Sequence, residues 1–454
     1  MASISYTLNC FLMIVFSDLQ CRTITASLPL SPQGILLDVT KNSSTLLHTI
    51  QIHQDIDRPP LNLLVDISYK SVFVECLSTF REATFNISKC GSQECEFAKV
   101  DFCSEECEPG IFRQWCVKDS CFSSYPYEDN LIGSTILLGW IAEAHLSFQS
   151  ISYNLSSKNL VDFPRFVLTC SDLGFFPGDG IIDGVAALGR SQEALSSQLA
   201  KAFKFSRKFS LCLSSSTKSK GWISFGDARP PLNPKANLTK YFKYTPFITS
   251  QYGIGSDYRT GMPSSAYFLG VTSIKVSGKT VKGFNHGLLS INGSGIGGTT
   301  ITSTKPYTIL ERSIYNVMTT LFLKELESSQ TNNNVTRVAS VEPFEFCFNS
   351  ESIRTKTYLG PAVPPIDLIL QNKNVSWRIY GANSMVQINK DIMCLGYVPR
   401  IDNEFKDFYW SIEIGAHQIE DNILEFNLDK SQLGFSSSLL AMKAKCNIDF
   451  DTEG

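Results

Sequence analysis

The chain has little charge and few histidines, and no apolar run long enough to cross a membrane. Charged residues make up 18% of its 454 positions and the formal net charge is -3. That leaves no basic footprint for nucleic acid and no polybasic patch for a membrane surface. The five histidines (His48, His53, His145, His286 and His417) are scattered, so their spacing supports neither a metal cluster nor a Ser/His/Asp triad. The apolar run at residues 8–17 is about half of the ~20 residues a membrane helix needs. It sits where a secretory signal belongs, although no Lys or Arg precedes Arg22, and a small-residue cleavage site near Ala26 makes residues 1–26 the expected leader.

Cysteine and asparagine usage agree with secretion. Of the fourteen cysteines, Cys10 and Cys21 fall in the leader. Twelve remain: Cys76, Cys90, Cys95, Cys103, Cys107, Cys116, Cys121, Cys170, Cys212, Cys347, Cys394 and Cys446. An even set in an oxidising compartment reads as a disulfide framework. The pairs Cys90/Cys95 and Cys103/Cys107 have tolerable zinc spacing, but no histidine lies among them, so no metal is expected. Seven Asn-x-Ser/Thr acceptors, at Asn42, Asn86, Asn154, Asn237, Asn292, Asn334 and Asn374, mark expected surface glycosylation sites.

A hydrophobic content of 43% over this length supplies more core than one domain holds, since single cores stop growing near ~250–300 residues. Short apolar or alternating runs punctuated by Gly, Pro, Asn and Ser predict strands at Leu61–Asp66, Ile136–Trp140, Phe166–Thr169, Trp222–Phe225 and Ile412–Ile414. Three- and four-residue spacing predicts helices at Ser191–Phe203 and Ser313–Leu326. A polar stretch with paired prolines, residues 229–246, reads as a crossing between an N-terminal β lobe (27–228) and a C-terminal β lobe with its tail (247–454). The run Gly293-Ser294-Gly295-Ile296-Gly297-Gly298 satisfies Gly-x-Gly-x-x-Gly, yet strand rather than helix follows, so no dinucleotide or other cofactor is expected.

The stretch Leu63 to Cys76, with Asp66-Ile67-Ser68-Tyr69 where active enzymes have Asp-Thr-Gly-Ser, resembles the first catalytic segment of plant pepsin-like proteases. Gly184–Arg190, Phe209–Leu213, Gly221–Gly226 and Phe344–Phe348 continue the resemblance. The segments Ile379–Val386, Cys394–Val398, Ile414–Asn422 and Leu433–Ser438 are similar to one branch of that superfamily. It holds the plant extracellular dermal glycoproteins, the basic 7S globulins, and the inhibitors of microbial xylanases and xyloglucan-cleaving endoglucanases. The resemblance implies a mostly β, two-lobed pepsin-like (peptidase A1) fold with a central cleft. It also implies the disulfides Cys347–Cys394 and Cys212–Cys446, and Tyr127 as the counterpart of the flap tyrosine.

Aspartic proteolysis needs two carboxylates sharing a proton and a water. Aligned on Ile296-Gly297-Gly298-Thr299, the second catalytic segment lacks its aspartate, so Asp66 and Ile296 are the expected remnants of a lost dyad and no catalytic residue is expected. The resemblance points instead to a secreted glycoside hydrolase as protein partner, met in the apoplast or cell wall by loops at about 351–361 and 399–410. Their candidate contacts are Arg354, Lys356, Tyr358, Arg400, Lys406 and Tyr409. The alternatives are a binding or seed-storage-like glycoprotein and a residual aspartic endopeptidase.

Overall fold

The computed structural model describes residues 33–54, 59–75, 85–100, 103–104, 118–129, 133–151, 158–171, 182–228, 242–250, 263–293, 295–329, 335–353, 357–372, 374–401 and 410–448, with the backbone alone for 124–129 and 133–138. The signal-like segment and residues 229–241 of the expected crossing lie outside them.

Strands dominate, as the short apolar runs require. Leu61–Asp66 and Ile412–Ile414 are strands with the bounds read from sequence. The other three expected strands lie inside longer ones, Gly133–Ile151, Lys158–Ser171 and Gly221–Gly226. The helix expected from Ser191 begins at Leu195, because the Ser191 hydroxyl accepts from Ala194 N (3.0 Å) and holds the preceding residues in a turn. The second helix spans Arg312–Ser329, its start fixed by the Glu311 carboxylate, which accepts from the backbone N of Ser313 (2.9 Å) and Ile314 (3.1 Å).

The two lobes share a central antiparallel sheet. Its order is Gly34–Lys41, Gly221–Gly226, Lys208–Cys212, Asn422–Asn427, Gln432–Ser438 and Lys243–Ile248. Residues near position 210 thus pair directly with residues near position 425. Aromatic rings seal this seam: Phe209 stacks on Phe426 with centroids 4.7 Å apart, and Tyr267 lies 4.6 Å from Phe426. All three are fully buried, and each removes enough apolar area from water to contribute about 2–3 kcal/mol. Above the seam each lobe carries two parallel strand pairs among the described residues, and one pair in each lobe leads into the centre. Leu61–Asp66 runs beside Gly184–Ala187, and Thr299–Ile301 runs beside Ile412–Ile414. Parallel strands covered on both faces should be apolar throughout, and these are almost wholly buried.

Candidate functional site

The pairs Leu61–Asp66 with Gly184–Ala187 and Thr299–Ile301 with Ile412–Ile414 each deliver a polar residue at the end of the first strand. In the first lobe this is Asp66, 3% exposed. Its Oδ1 accepts three hydrogen bonds, from Ser68 N (2.8 Å), Ser68 Oγ (2.6 Å) and Tyr69 N (3.1 Å). The carboxylate therefore closes its own turn, the local bonding that favours Asp at such corners. Gly189 leans on this turn: its N–H donates to Tyr69 O (2.9 Å), and a Cβ there would stand 2.3 Å from that oxygen.

In the second lobe the corresponding residue is Thr302, not Ile296. Thr302 follows the strand Thr299–Ile301, its N–H donates to Ile414 O (2.9 Å), and it is 4% exposed. Its Oγ1 accepts from Thr304 N (3.2 Å) and pairs with Thr304 Oγ1 (3.0 Å), the same reach to the residue two positions on that Asp66 makes to Ser68. A glycine leans on this turn as well: a Cβ on Gly415 would stand 2.4 Å from Tyr307 O and 2.9 Å from Lys305 O, the carbonyl three residues past Thr302, as Tyr69 is three past Asp66. Ile296 lies six residues earlier in a turn of its own, its N–H bonded to Asn292 Oδ1 (3.0 Å) and its carbonyl accepting from Asn292 N (2.8 Å). Gly297 and Gly298, read from sequence as part of the catalytic signature, serve that turn. Their φ values of 91° and 77° suit glycine, and a Cβ on Gly297 would meet Ser290 O at 2.5 Å.

Ser303 joins the two turns. Its hydroxyl donates to Val65 O (2.6 Å) and accepts from Ile67 N (3.2 Å), gripping the peptides on both sides of Asp66. Ile67, its opposite number, has no hydroxyl to return the grip. Tyr267 OH donates to Leu188 O (2.8 Å) and Thr300 Oγ1 to Tyr267 O (3.2 Å), so the lobes are tied beside the centre as well. This arrangement presents one carboxylate, already engaged by three donors, opposite a hydroxyl. Thr302 and Ser303 are missed by a reading that halts at the paired glycines. Following the strand on to its first polar turn, as at Asp66, finds them.

Among the expected partner-facing residues, Tyr358 is 71% exposed with Lys443 Nζ 5.0 Å from its ring centre, and Ile401, in the other expected loop, is 72% exposed. Arg400 departs from the expectation of a loop cation. Its side chain is only 13% exposed; the guanidinium donates to the buried Glu413 carboxylate and to Trp410 O (3.0 Å). Arg354, Lys356, Lys406 and Tyr409 lie outside the described residues. Tyr127 pairs with Thr135 near the end of a long hairpin, where only the backbone is described.

The pairs Cys212–Cys446 and Cys347–Cys394 are joined, as are Cys90–Cys103 and Cys95–Cys121, and Cys170 is disulfide-bonded too. Cys76, Cys107 and Cys116 lie outside the described residues, as do Asn154, Asn237 and Asn334. Asn86, Asn292 and Asn374 are exposed and Asn42 half-buried. Among the described residues no group of three or more His, Cys, Asp or Glu is placed to hold a metal, and no helix is long and apolar enough to cross a membrane.

A buried charge cluster absent from the sequence reading ties the start of the described chain to its end. The Glu420 carboxylate lies 2.7 Å from Lys41 Nζ, 3.7 Å from His48 Nε2 and 3.4 Å from His417 Nδ1. Burial alone would raise the Glu420 pKa, but the bond and charge of His417, with Lys41 and His48, hold it below the ordinary value. His48 is pushed down by burial, and its Nε2 meets Ser214 O at 3.1 Å, which makes that nitrogen the donor.

Two family models match the chain, one described as the N-terminal part of a xylanase inhibitor over residues 48–227 and one as the C-terminal part over 266–437. The chain is 39% identical over 431 residues to a Nicotiana benthamiana protein named "Probable aspartic proteinase GIP2", covering 92% of each. It is 32% identical to gamma conglutin 1 of Prunus dulcis, covering 98% of this chain and 96% of that one. The structure matches the crystal structure of edgp with a TM-score of 0.80 and 37% identity, over 92% of this chain and 98% of that one. It matches an aspartic proteinase from Irpex lacteus with a TM-score of 0.56 at 10% identity, over 91% and 100% of the two chains, which shows the fold alone: pepsin-like, mostly β, in two lobes.

Proposed function

The chain belongs to the xylanase inhibitor family, and on that premise we propose that it is a secreted, proteolytically inactive plant-defence glycoprotein that inhibits a microbial cell-wall-degrading xylanase or endoglucanase. The observation carrying the inactivity is Thr302. A hydroxyl with an alcohol's pKa cannot share a proton with Asp66 or act as a base in its place. Inhibition would be the work of the second-lobe loops. Tyr358 and Ile401 are largely exposed among the described residues, and an aromatic side chain can fill a subsite where a sugar ring binds. Arg354 is the cation proposed to bridge the enzyme's two carboxylates, which in glycosidases lie about 5–9.5 Å apart. The test is a panel of secreted fungal xylanases and endoglucanases assayed with excess purified protein. Loss of activity in at least one supports the proposal, and none across the panel overturns it.

A second reading, a binding or storage-like glycoprotein, is favoured by the similarity to gamma conglutin 1 and takes the place of the first if the panel is unaffected. The word proteinase in the name of the Nicotiana benthamiana relative belongs to that protein. For this chain it would require cleavage that a transition-state mimic of aspartic proteolysis blocks.

A further inference from the structure

Behind the Asp66 turn lies a cavity of about 410 Å³ that neither catalysis nor the loops account for. Four cationic side chains line it, Lys70, Lys99, Arg190 and Arg207, with one carboxylate, Glu193. Burial pushes the Arg190 pKa down, and the Arg207 charge beside it adds to that. Their bonds go to neutral groups. Arg190 Nη1 donates to Ile248 O (3.3 Å), with its guanidinium carbon 5.8 Å from the Phe247 ring centre. Arg207 donates through Nε to Ser197 Oγ (2.8 Å) and through Nη2 to the carbonyls of Arg190 and Ser191. Neither guanidinium has a carboxylate at ion-pair distance among the described residues. Half-buried like charges are stable only with an oxyanion or much water to offset them, and a guanidinium fork suits a carboxylate or phosphate better than any neutral group. The rest of the lining, Gln192, Thr249 and Ser264 among it, supplies hydroxyl and amide groups at a size typical of small-molecule sites.

We propose that this cavity binds a small polyhydroxylated anion, a sugar acid or sugar phosphate, with its oxyanion between Arg190 and Arg207 and its hydroxyls on the polar wall. The site is separate from the enzyme-facing loops and adjoins the degenerate centre. Ser265 Oγ donates to Ser68 O (2.9 Å) and Ser191 Oγ to Lys70 O, so two lining residues also hold the Asp66 turn.

Isothermal titration of the full-length glycoprotein at low salt tests this, with glucuronate, glucose 6-phosphate, glucose and inorganic sulfate as separate ligands. One-to-one binding of either sugar anion, about tenfold tighter than glucose and than sulfate, is expected. Which of the two binds identifies the oxyanion. Arg190→Gln should weaken that binding about tenfold or more, while Lys204→Gln, outside the cavity, leaves it unchanged. Lys99 is exposed, so Lys99→Glu should fold even if Arg190→Gln does not, and it too should weaken binding severalfold. Sulfate binding as tightly as both sugar anions, no preference over glucose, or wild-type affinity in the folded variants would overturn the proposal.

Discussion

The Ser303 hydroxyl sits 2.6 Å from Val65 O and 3.2 Å from Ile67 N, so the residue after Thr302 grips the peptides that flank Asp66. This contact makes the two turns one unit across 236 residues of sequence. It also fixes what each partner can do chemically, since the residue delivered opposite Asp66 is an alcohol.

Thr302→Asp places a second carboxylate against a buried one. Two like charges in such a site cannot both ionise freely. The variant should lose of the order of 1–3 kcal/mol of stability at neutral pH, and less near pH 4, where one proton can be shared. Chemical denaturation at the two pH values measures the difference. The unmodified protein should leave unfolded protein substrates uncleaved at about pH 3–5.

Arg400→Ala removes the ion-pair partner of Glu413 and leaves that carboxylate buried. The expected loss is about 3–5 kcal/mol of folding stability. Arg400→Met with Glu413→Gln should recover much of it, because both charges leave together. Comparable loss in the double variant would show that the pair is not what Arg400 contributes.

Acidification should lower the folding stability in two steps. His48 has its pKa lowered from 6.5 by burial, so its contribution to stability is full above 6.5 and is lost as pH falls below that value. Glu420 is lowered from 4.5, and its contribution is lost as pH falls from 4.5 through its folded value. Asp421 is raised from 3.8 by burial, despite bonds from Ser215 Oγ and Cys446 N. Its contribution is therefore present at acid pH and lost as pH rises, which softens the lower step. Unfolding free energies measured from about pH 8 to 3 should show both steps. His48→Gln should flatten the upper one, and Glu420→Gln the lower one with some loss at neutral pH.

Cys446→Ser opens the link to Cys212, which spans 234 residues of sequence. Freed from it, the tail should cost the fold about 2–5 kcal/mol. Limited proteolysis should then cut first around the segment after Ser438, which the disulfide and the bond from Cys446 N to Asp421 Oδ1 (2.9 Å) hold against the central sheet.

Tyr358→Ala tests the proposed inhibitory face directly. If its ring occupies an enzyme subsite, inhibition should weaken by about 2 kcal/mol or more, the range of an interface anchor. Folding stability should stay within about 0.5 kcal/mol, because the side chain is exposed. Unchanged inhibition would assign the contact to other residues of the loops.

Strand runs such as Leu61–Asp66 and Ile412–Ile414 were legible because alternation and apolar content are local, and the burial they signal follows from the residues themselves. The cysteine set and the altered first signature at Asp66-Ile67-Ser68-Tyr69 were legible for the same reason. The paired glycines draw the alignment to Ile296 rather than Thr302, because two adjacent glycines serve a turn as readily as a catalytic signature. The strand register, Thr299–Ile301 beside Ile412–Ile414, sets Thr302 at the turn facing Asp66. The same holds for Arg400, whose loop position suggested a free cation until the fold set Glu413 beside it. It holds again for Lys41 with Glu420, and for Arg190 with Arg207 at the cavity wall. Charge and chemistry are properties of single residues, but the company a charged group keeps, and so its pKa and its use, comes from pairings that only the folded chain makes.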